Sequence, residues 1–261
     1  MRVTRLGQLI LGLGFAGVGV LSLVTADFTL LWMLYPAWEP WREAIADASG
    51  ALLLIGGLGM LLPRTARAAT LVITVNVLLW LVVFGLPGVV TQPGNELMWL
   101  KFGQNLMLVT AGWTLLAGSD AGARNLRPAR VVYGLALPMV GLSHFVYIKA
   151  AVSFVPARLP FHAGFACLTG AAHIAAGLAI LFGILPRLAA TAEAAMITLF
   201  LLMVSVPDIV AGPVTRLLWV RLLITATCAG AAWVIAGSLK GAAWGLARPK
   251  TPRAEGSTRM A

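Results

Sequence analysis

Charged residues are scarce in this chain of 261 residues: they make up 11% of it, and only nine are acidic. A soluble domain typically carries about a quarter charged residues. Hydrophobic residues make up 60% of the chain, and the mean hydropathy is +0.92. This composition excludes an ordinary soluble domain and predicts an integral membrane protein whose main partner is the lipid bilayer.

Cysteine and histidine are also rare, with two cysteines and three histidines. Cys167 and Cys228 both lie in apolar runs, so we expect neither a disulfide framework nor a cysteine-based metal site, and we predict no bound metal. The net charge of +10 does not indicate a nucleic-acid partner, because the basic residues fall mainly between apolar runs, where they act as topology signals.

Long apolar runs dominate the rest of the sequence. Eight of them are long enough to cross a bilayer, at about residues 6–26, 44–62, 68–86, 97–117, 131–151, 162–185, 188–210 and 214–237. The sequence therefore predicts an all-α, polytopic membrane protein with eight transmembrane helices.

The two halves of the chain resemble each other at a constant offset of 120 residues, which predicts an internal duplication. The matches include Pro36 with Pro156, Trp41 with Phe161, Gly50 with Gly170, Pro87 with Pro207 and Trp113 with Trp233. Four spans in each half is an even number, so the two four-helix repeats are predicted to be parallel. We expect repeats at 1–118 and 130–238, a cytoplasmic linker at 119–129, and a basic, disordered cytoplasmic tail at 239–261.

The basic residues predict the orientation of the chain. Thirteen Lys and Arg residues fall on the amino-terminal side of the predicted spans and six on the opposite side. Because cytoplasmic loops are enriched in Lys and Arg, this bias predicts that both termini lie in the cytoplasm. A location in the bacterial inner membrane is expected from family resemblance alone.

Polar side chains inside the bilayer are costly and so mark candidate sites. At the rise of an α-helix, His144, Cys167 and Arg221 share a level about 8 to 10 Å from the outer end of their spans, whereas His173 lies roughly 8 to 10 Å deeper than His144. This separation argues against a haem held by both histidines. The candidate ligand-binding residues are His144, Tyr147, Cys167, His173, Arg221 and Lys101.

Structural roles stay open for each of these residues. A histidine inside the membrane is often simply hydrogen-bonded to a neighbouring helix. A structural role fits Lys101 and Arg221 as well as ligand binding does, since their side chains would extend to the membrane interface or pair with Asp47 and Asp208. A buried cysteine commonly acts as a small core residue.

Several segments of the second half carry a family resemblance: GLSHFVYIK at 141–149, VPARLPFHAGFACLTGAAHIAAGLAILFGILPRLAA at 155–190 and AAWVIAGSLKG at 231–241. They resemble the DoxX family of small four-helix bacterial membrane proteins. The first half is similar more loosely, through YPAWEPW at 35–41 and GGLGMLLPRTAR at 56–67. Some DoxX-like proteins are linked with quinone-dependent thiosulfate oxidation or with thiol-redox complexes, so the resemblance implies a redox membrane subunit.

The leading hypothesis is therefore an accessory or quinone-interacting subunit of a membrane redox system, with redox partner subunits and quinone as the implied cofactor. His144, Tyr147, Cys167 and Arg221 would line a pocket open to the periplasm. The alternative is a non-enzymatic protein that binds or transports a lipid or a small solute. A third reading is a structural partner of another membrane protein or a homo-oligomer. The sequence leaves catalytic activity itself undecided.

Overall fold

A computed structural model describes residues 2–29, 40–118 and 126–244 of the chain. These residues form helices and short connections, with no strand among them. The helices are α1 (Arg2–Thr25), α2 (Arg42–Leu61), α3 (Ala66–Thr91), α4 (Glu96–Ala117), α5 (Leu126–Val146), α6 (Ile148–Ser153), α7 (His162–Phe182), α8 (Pro186–Ala211) and α9 (Arg216–Ser238). The all-α class is confirmed.

Seven of these helices are long and apolar enough to cross a membrane: α1, α2, α3, α5, α7, α8 and α9. This is the architecture of a multi-pass membrane protein. The sequence predicts eight spans, and the remaining one corresponds to α4. Helix α4 has 22 residues but carries Glu96, Lys101, Gln104 and Asn105 in its first half, which lower its hydropathy.

The helix ends lie within four residues of those expected from hydropathy, except in α3, which ends five residues later than expected, at Thr91, and in α5.

Helix α5 is shifted as a whole. That helix begins at Leu126, inside the predicted linker, and residues 119–125 of the linker lie outside the described residues. The predicted span continues to residue 151, but the helix stops at Val146, because Tyr147 leaves the helical conformation with φ −105° and ψ 43°. The chain stays apolar through the break, so hydropathy does not reveal it. Residues 245–261 of the predicted tail also lie outside the described residues.

Helix α1 packs tightly against both α2 and α9. A Cβ atom added to Gly19 of α1 would lie 2.4 Å from the backbone nitrogen of Leu54 in α2. On the other side, a Cβ added to Gly230 of α9 would lie 2.4 Å from the backbone nitrogen of Leu11 in α1. Small residues allow such close approach of helix backbones, which is how helices associate where lipid replaces water.

Helix α5 packs in the same manner against α7 and α4. A Cβ added to Gly141 of α5 would lie 2.6 Å from the carbonyl oxygen of Gly170 in α7. A Cβ added to Gly103 of α4 would lie 2.9 Å from the carbonyl oxygen of Ala136 in α5. Helix α4 also contacts α9, so α5, α4, α9 and α1, in that order, form a continuous series of neighbours through the bundle.

Helices α3 and α8 share a local irregularity. Each contains a five-residue π-helical segment, Leu81–Gly85 in α3 and Leu201–Ser205 in α8. Each segment is followed, after one residue, by a proline, Pro87 or Pro207. A proline ring clashes with the carbonyl group four residues earlier, which lies inside the π-helical segment in both cases. Widening the turn relieves that clash.

Asp27 fastens the end of α1 to α2 and α9. Its carboxylate accepts hydrogen bonds from Arg42 at 2.6 Å and from Arg216 at 3.0 Å, and Arg216 also donates to the carbonyl oxygen of Phe28 at 2.8 Å. Partial burial alone would raise the pKa of Asp27, but the hydrogen bonds from Arg216 and from the Phe28 backbone, with the charges of both arginines, outweigh it and hold the pKa below its ordinary value. The carboxylate therefore stabilises the folded state.

The variant Asp27→Asn tests this contact through its pH dependence. At pH 7 it is expected to cost about 1 kcal/mol of stability, since the ion pairs are partly exposed. Because the pKa of Asp27 is lower in the folded than in the unfolded state, its carboxylate contributes fully to stability above the unfolded pKa of about 3.9. This contribution is lost as the pH falls through the pKa of the folded state. Thermal melts of wild type and variant between pH 7 and pH 3 should therefore converge at the acid end. A difference that stays constant with pH would contradict the assignment.

Candidate functional site

The most buried polar pair in the described residues joins α7 to α8. The Nδ1 atom of His173 lies 2.7 Å from Oε1 of Glu193, and the two side chains are 4% and 0% exposed. His173 faces this partner because α7 presents it on the side that packs against α8. The second carboxylate oxygen of Glu193, Oε2, is buried and makes no hydrogen bond among the described residues.

His144 extends this pair toward the end of α5. Its ring centroid lies 5.3 Å from that of His173, with the ring planes tilted by 45°. Its Nδ1 atom lies 3.4 Å from the carbonyl oxygen of Val140, so a proton on Nδ1 leaves Nε2 as the acceptor. His144 is half-buried and lies two residues before the end of α5. The three side chains thus form a series from the interior toward one end of the bundle.

The predicted separation of the two histidines, 8 to 10 Å in level, is wrong. That predicted separation assumes that each transmembrane span ends where its apolar run ends, at residue 151 for the span of His144 and at residue 162 for the span of His173. The actual register is set by glycine packing between α5 and α7, which places Gly170 beside His144 and Gly141 beside His173. The close approach of the rings does not make a ligand set, because no three His, Cys, Asp or Glu side chains of the described residues are grouped to hold a metal ion.

Two further polar side chains lie near Glu193. Tyr133 of α5 and Cys228 of α9 are buried, and both are within range of an electrostatic interaction with the Glu193 carboxylate. The hydroxyl of Tyr133 makes no hydrogen bond among the described residues. Four helices, α5, α7, α8 and α9, therefore contribute to one polar cluster inside the apolar bundle.

A groove of about 370 Å³ leads from the surface to Glu193. It runs between α7 and α8, and Glu193 is its one ionisable lining residue. Alanines leave the space open, since they have no side chain beyond Cβ: Ala172, Ala175, Ala176, Ala179, Ala189 and Ala192. The side chain of Glu193 is 0% exposed, so its carboxylate lies behind the wall of the groove.

Arg221 has a partner of its own, away from the histidines. Its guanidinium forms an ion pair with Asp208 of α8 and stands 5.0 Å from the ring centroid of Phe154. This matches the structural alternative predicted for Arg221. Because the charge is already compensated, Arg221 has less to offer an anionic ligand than the sequence suggested.

The remaining predicted residues are dispersed. Tyr147 is exposed and lines a separate cleft with Glu96, on a different side of α5 from His144. Lys101 is half-buried and forms no ion pair with a described residue. Cys167 is half-buried with a free thiol. The structure thus joins His144 and His173 and places Tyr147 and Arg221 elsewhere.

Glu193 is the residue that the sequence analysis missed. The sequence does contain a signal for this residue, because Glu193 is an acidic residue within the otherwise apolar run LAATAEAAMITLF at 188–200. An ionisable residue inside a membrane span is a site hypothesis by default. What the sequence did not show is that α8 turns this carboxylate toward His173.

Comparisons of the chain with protein-family models, with curated protein sequences and with solved structures give no match.

Proposed function

We propose that this protein is a quinone-interacting subunit of a membrane redox system, in which Glu193, His173 and His144 exchange protons with a quinone headgroup bound in the groove between α7 and α8. The observation that carries the proposal is the buried Glu193 carboxylate, bonded to His173 on one oxygen and unpartnered on the other, directly behind the wall of an apolar groove.

The cost of the buried pair supports a functional role. Removing a carboxylate from water is expensive, and an apolar pair of similar size is often at least as stable as a buried ion pair. At the offset of 120 residues, His173 and Glu193 correspond to Leu53 and Ile73, which are buried apolar residues of α2 and α3. The same helix positions are therefore filled without polar groups in the first half, which indicates that the fold does not require them.

The groove suits a lipid-soluble ligand with a small polar head. Its walls are alanine, leucine and methionine side chains, and its volume is that of a single ring with substituents rather than of a large cofactor. A quinone dissolves in the bilayer and reaches such a groove without crossing water. Its carbonyl oxygen would accept a hydrogen bond from a protonated Glu193, which the groove-lining side chains must shift to expose.

The chemistry assigned to the site is proton transfer. A bound quinone would become a quinol by taking two electrons into its conjugated ring and one proton on each of its two oxygens. A partner redox subunit supplies the electrons. Glu193 would donate the single proton that the nearer oxygen takes, and His173 and His144 would return a proton to Glu193; the proton for the other oxygen would come from water at the membrane surface.

The same proposal includes eight spans arranged as two parallel repeats in the bacterial inner membrane, with both termini cytoplasmic. Supporting it, the two π-helical segments begin 120 residues apart, at Leu81 and Leu201. In addition, α1 packs on α9 as α5 packs on α4, so the first helix of each half contacts the last helix of the other. Membership of the DoxX-like family belongs to this proposal too, and rests on the sequence segments alone.

Quinone binding by the purified protein tests the proposal. Equilibrium dialysis of decylubiquinone against the protein in lipid nanodiscs should give saturable binding. A neutral hydrogen bond contributes about 0.5–1.5 kcal/mol, so Glu193→Leu, which removes the donor, should weaken binding by about two- to tenfold. Ala192→Phe should block the groove, whereas Leu135→Phe, an exposed position on α5, serves as the matched control and should bind as wild type does.

Two results would overturn the proposal. One is the absence of saturable quinone binding in wild type, and the other is equal binding by wild type and Glu193→Leu. Lipid or another small solute that copurifies, and that Ala192→Phe displaces, would favour the alternative function, a non-enzymatic lipid or solute binder.

A further inference from the structure

A second cleft, of about 800 Å³, opens between the start of α4 and the end of α5. Its lining combines an acidic residue, two aromatic residues and an apolar wall: Glu96, Trp99, Tyr147, Met139, Leu142 and Val146. The cleft lies on another side of α5 from His144 and shares no lining residue with the groove at Glu193. An inference about this cleft is therefore independent of the proposed quinone function.

Glu96 is the unusual member of this lining. The residue is 7% exposed, and both oxygens of its carboxylate are buried without a hydrogen-bond partner among the described residues. Capping does not explain it, because Asn95 already caps α4 by accepting a hydrogen bond from the backbone N–H of Leu97. A buried polar group without a partner calls for an explanation, and a bound ligand is one.

The corresponding contact between α9 and α1 contains an ion pair that the cleft between α4 and α5 lacks. At the offset of 120 residues, Glu96 corresponds to Arg216 and Tyr147 to Asp27. Arg216 and Asp27 form an ion pair where α9 meets α1. Where α4 meets α5, the carboxylate is that of Glu96, which lies on α4 at the position corresponding to Arg216. No described basic residue pairs with it, so this contact has an unpaired carboxylate where the other has an ion pair. This comparison rests on the proposed repeat, whereas the cleft and the unpartnered carboxylate do not.

We propose that the cleft binds a lipophilic organic cation, whose positive centre pairs with the Glu96 carboxylate. Three features of the cleft fit that chemical class. The carboxylate supplies the counter-charge, the faces of Trp99 and Tyr147 attract cations through their π-electrons, and Met139, Leu142 and Val146 contact apolar substituents. The exposed edge of the cleft, at Leu142, Val146 and Tyr147, gives entry from the membrane.

Binding of tetraphenylphosphonium tests the proposal, with tetraphenylborate as a probe of the same shape and opposite charge. Both are measured by equilibrium dialysis against the full-length protein in nanodiscs, with empty nanodiscs subtracted. Wild type should bind tetraphenylphosphonium saturably and tetraphenylborate at least tenfold more weakly. Glu96→Gln should weaken cation binding by at least tenfold, whereas Glu43→Gln, which removes an exposed carboxylate of α2, should change it less than twofold.

The variant Leu142→Trp fills the cleft without altering Glu96, so it tests the location even if Glu96→Gln folds poorly. It should abolish saturable binding of the cation. The proposal is wrong if wild type binds neither probe, if the two probes bind equally, or if cation binding survives both Glu96→Gln and Leu142→Trp. Glu193→Leu should leave cation binding unchanged, which keeps this test separate from that of the quinone site.

Discussion

The variant His173→Leu is expected to lose about 3–5 kcal/mol of stability, because it leaves the carboxylate of Glu193 buried without its partner. The double variant His173→Leu/Glu193→Ile is expected to recover most of that loss. It replaces the polar pair by the residues found 120 positions earlier, Leu53 and Ile73, both of which are buried in α2 and α3. A leucine and an isoleucine place no unpaired charge in the bundle.

Thermal unfolding of the single and double variants in the same lipid nanodiscs measures this difference. The double variant should unfold near the wild-type temperature and yet have lost quinone binding, which would separate the fold from the function of the site. If the double variant is as unstable as His173→Leu, the pair is a structural requirement and its functional interpretation loses its main support.

The variant Gly230→Val is expected to disrupt the packing of α9 against α1. A Cβ atom at this position would meet the backbone nitrogen, Cα and Cβ of Leu11 at 2.4, 2.7 and 2.9 Å, and two of these three are backbone atoms that no rotamer change can move. Overpacking of a core costs about 1–3 kcal/mol where neighbours can adjust, and here the helices themselves must separate. We therefore expect a loss at or above the upper end of that range.

Thermal unfolding and the yield of monodisperse protein after size-exclusion chromatography measure this effect. Gly212→Ala is the matched control, since nothing lies within 4 Å of a Cβ atom there, and it should behave as wild type does. Normal yield and stability for Gly230→Val would mean that α1 and α9 do not approach each other as closely as described.

The helices themselves were largely predictable. Hydropathy placed their ends within about five residues, because the need to bury apolar side chains in lipid and to satisfy backbone groups internally acts locally along the chain. Helix α4 is the one predicted span that is not among the seven helices apolar enough to cross a membrane, because Lys101, Gln104 and Asn105 lower its hydropathy. Helix α5 has the predicted length but lies five residues earlier than predicted, because Tyr147 interrupts the helix inside an apolar stretch.

The candidate site was predictable only in part. His144 and His173 were recognised as polar residues within spans, but the counting of depth from span ends placed them at different levels. Glycine contacts set the true register of α5 and α7, and a shift of a few residues changes depth by several ångströms. Arg221 was expected to be available for a ligand, yet Asp208, thirteen residues earlier in the chain, compensates it across the turn between α8 and α9.

The sequence by itself determined the all-α class, the multi-pass membrane character and the positions where polar side chains enter the apolar spans, since each follows from composition and the length of apolar runs. Only the tertiary structure decided which of those polar side chains meet. Glu193 pairs with His173, Arg221 with Asp208, and Glu96 faces a cleft with no partner. Partners are chosen by the rotation and register of packed helices, which depend on close contacts between residues far apart in the chain.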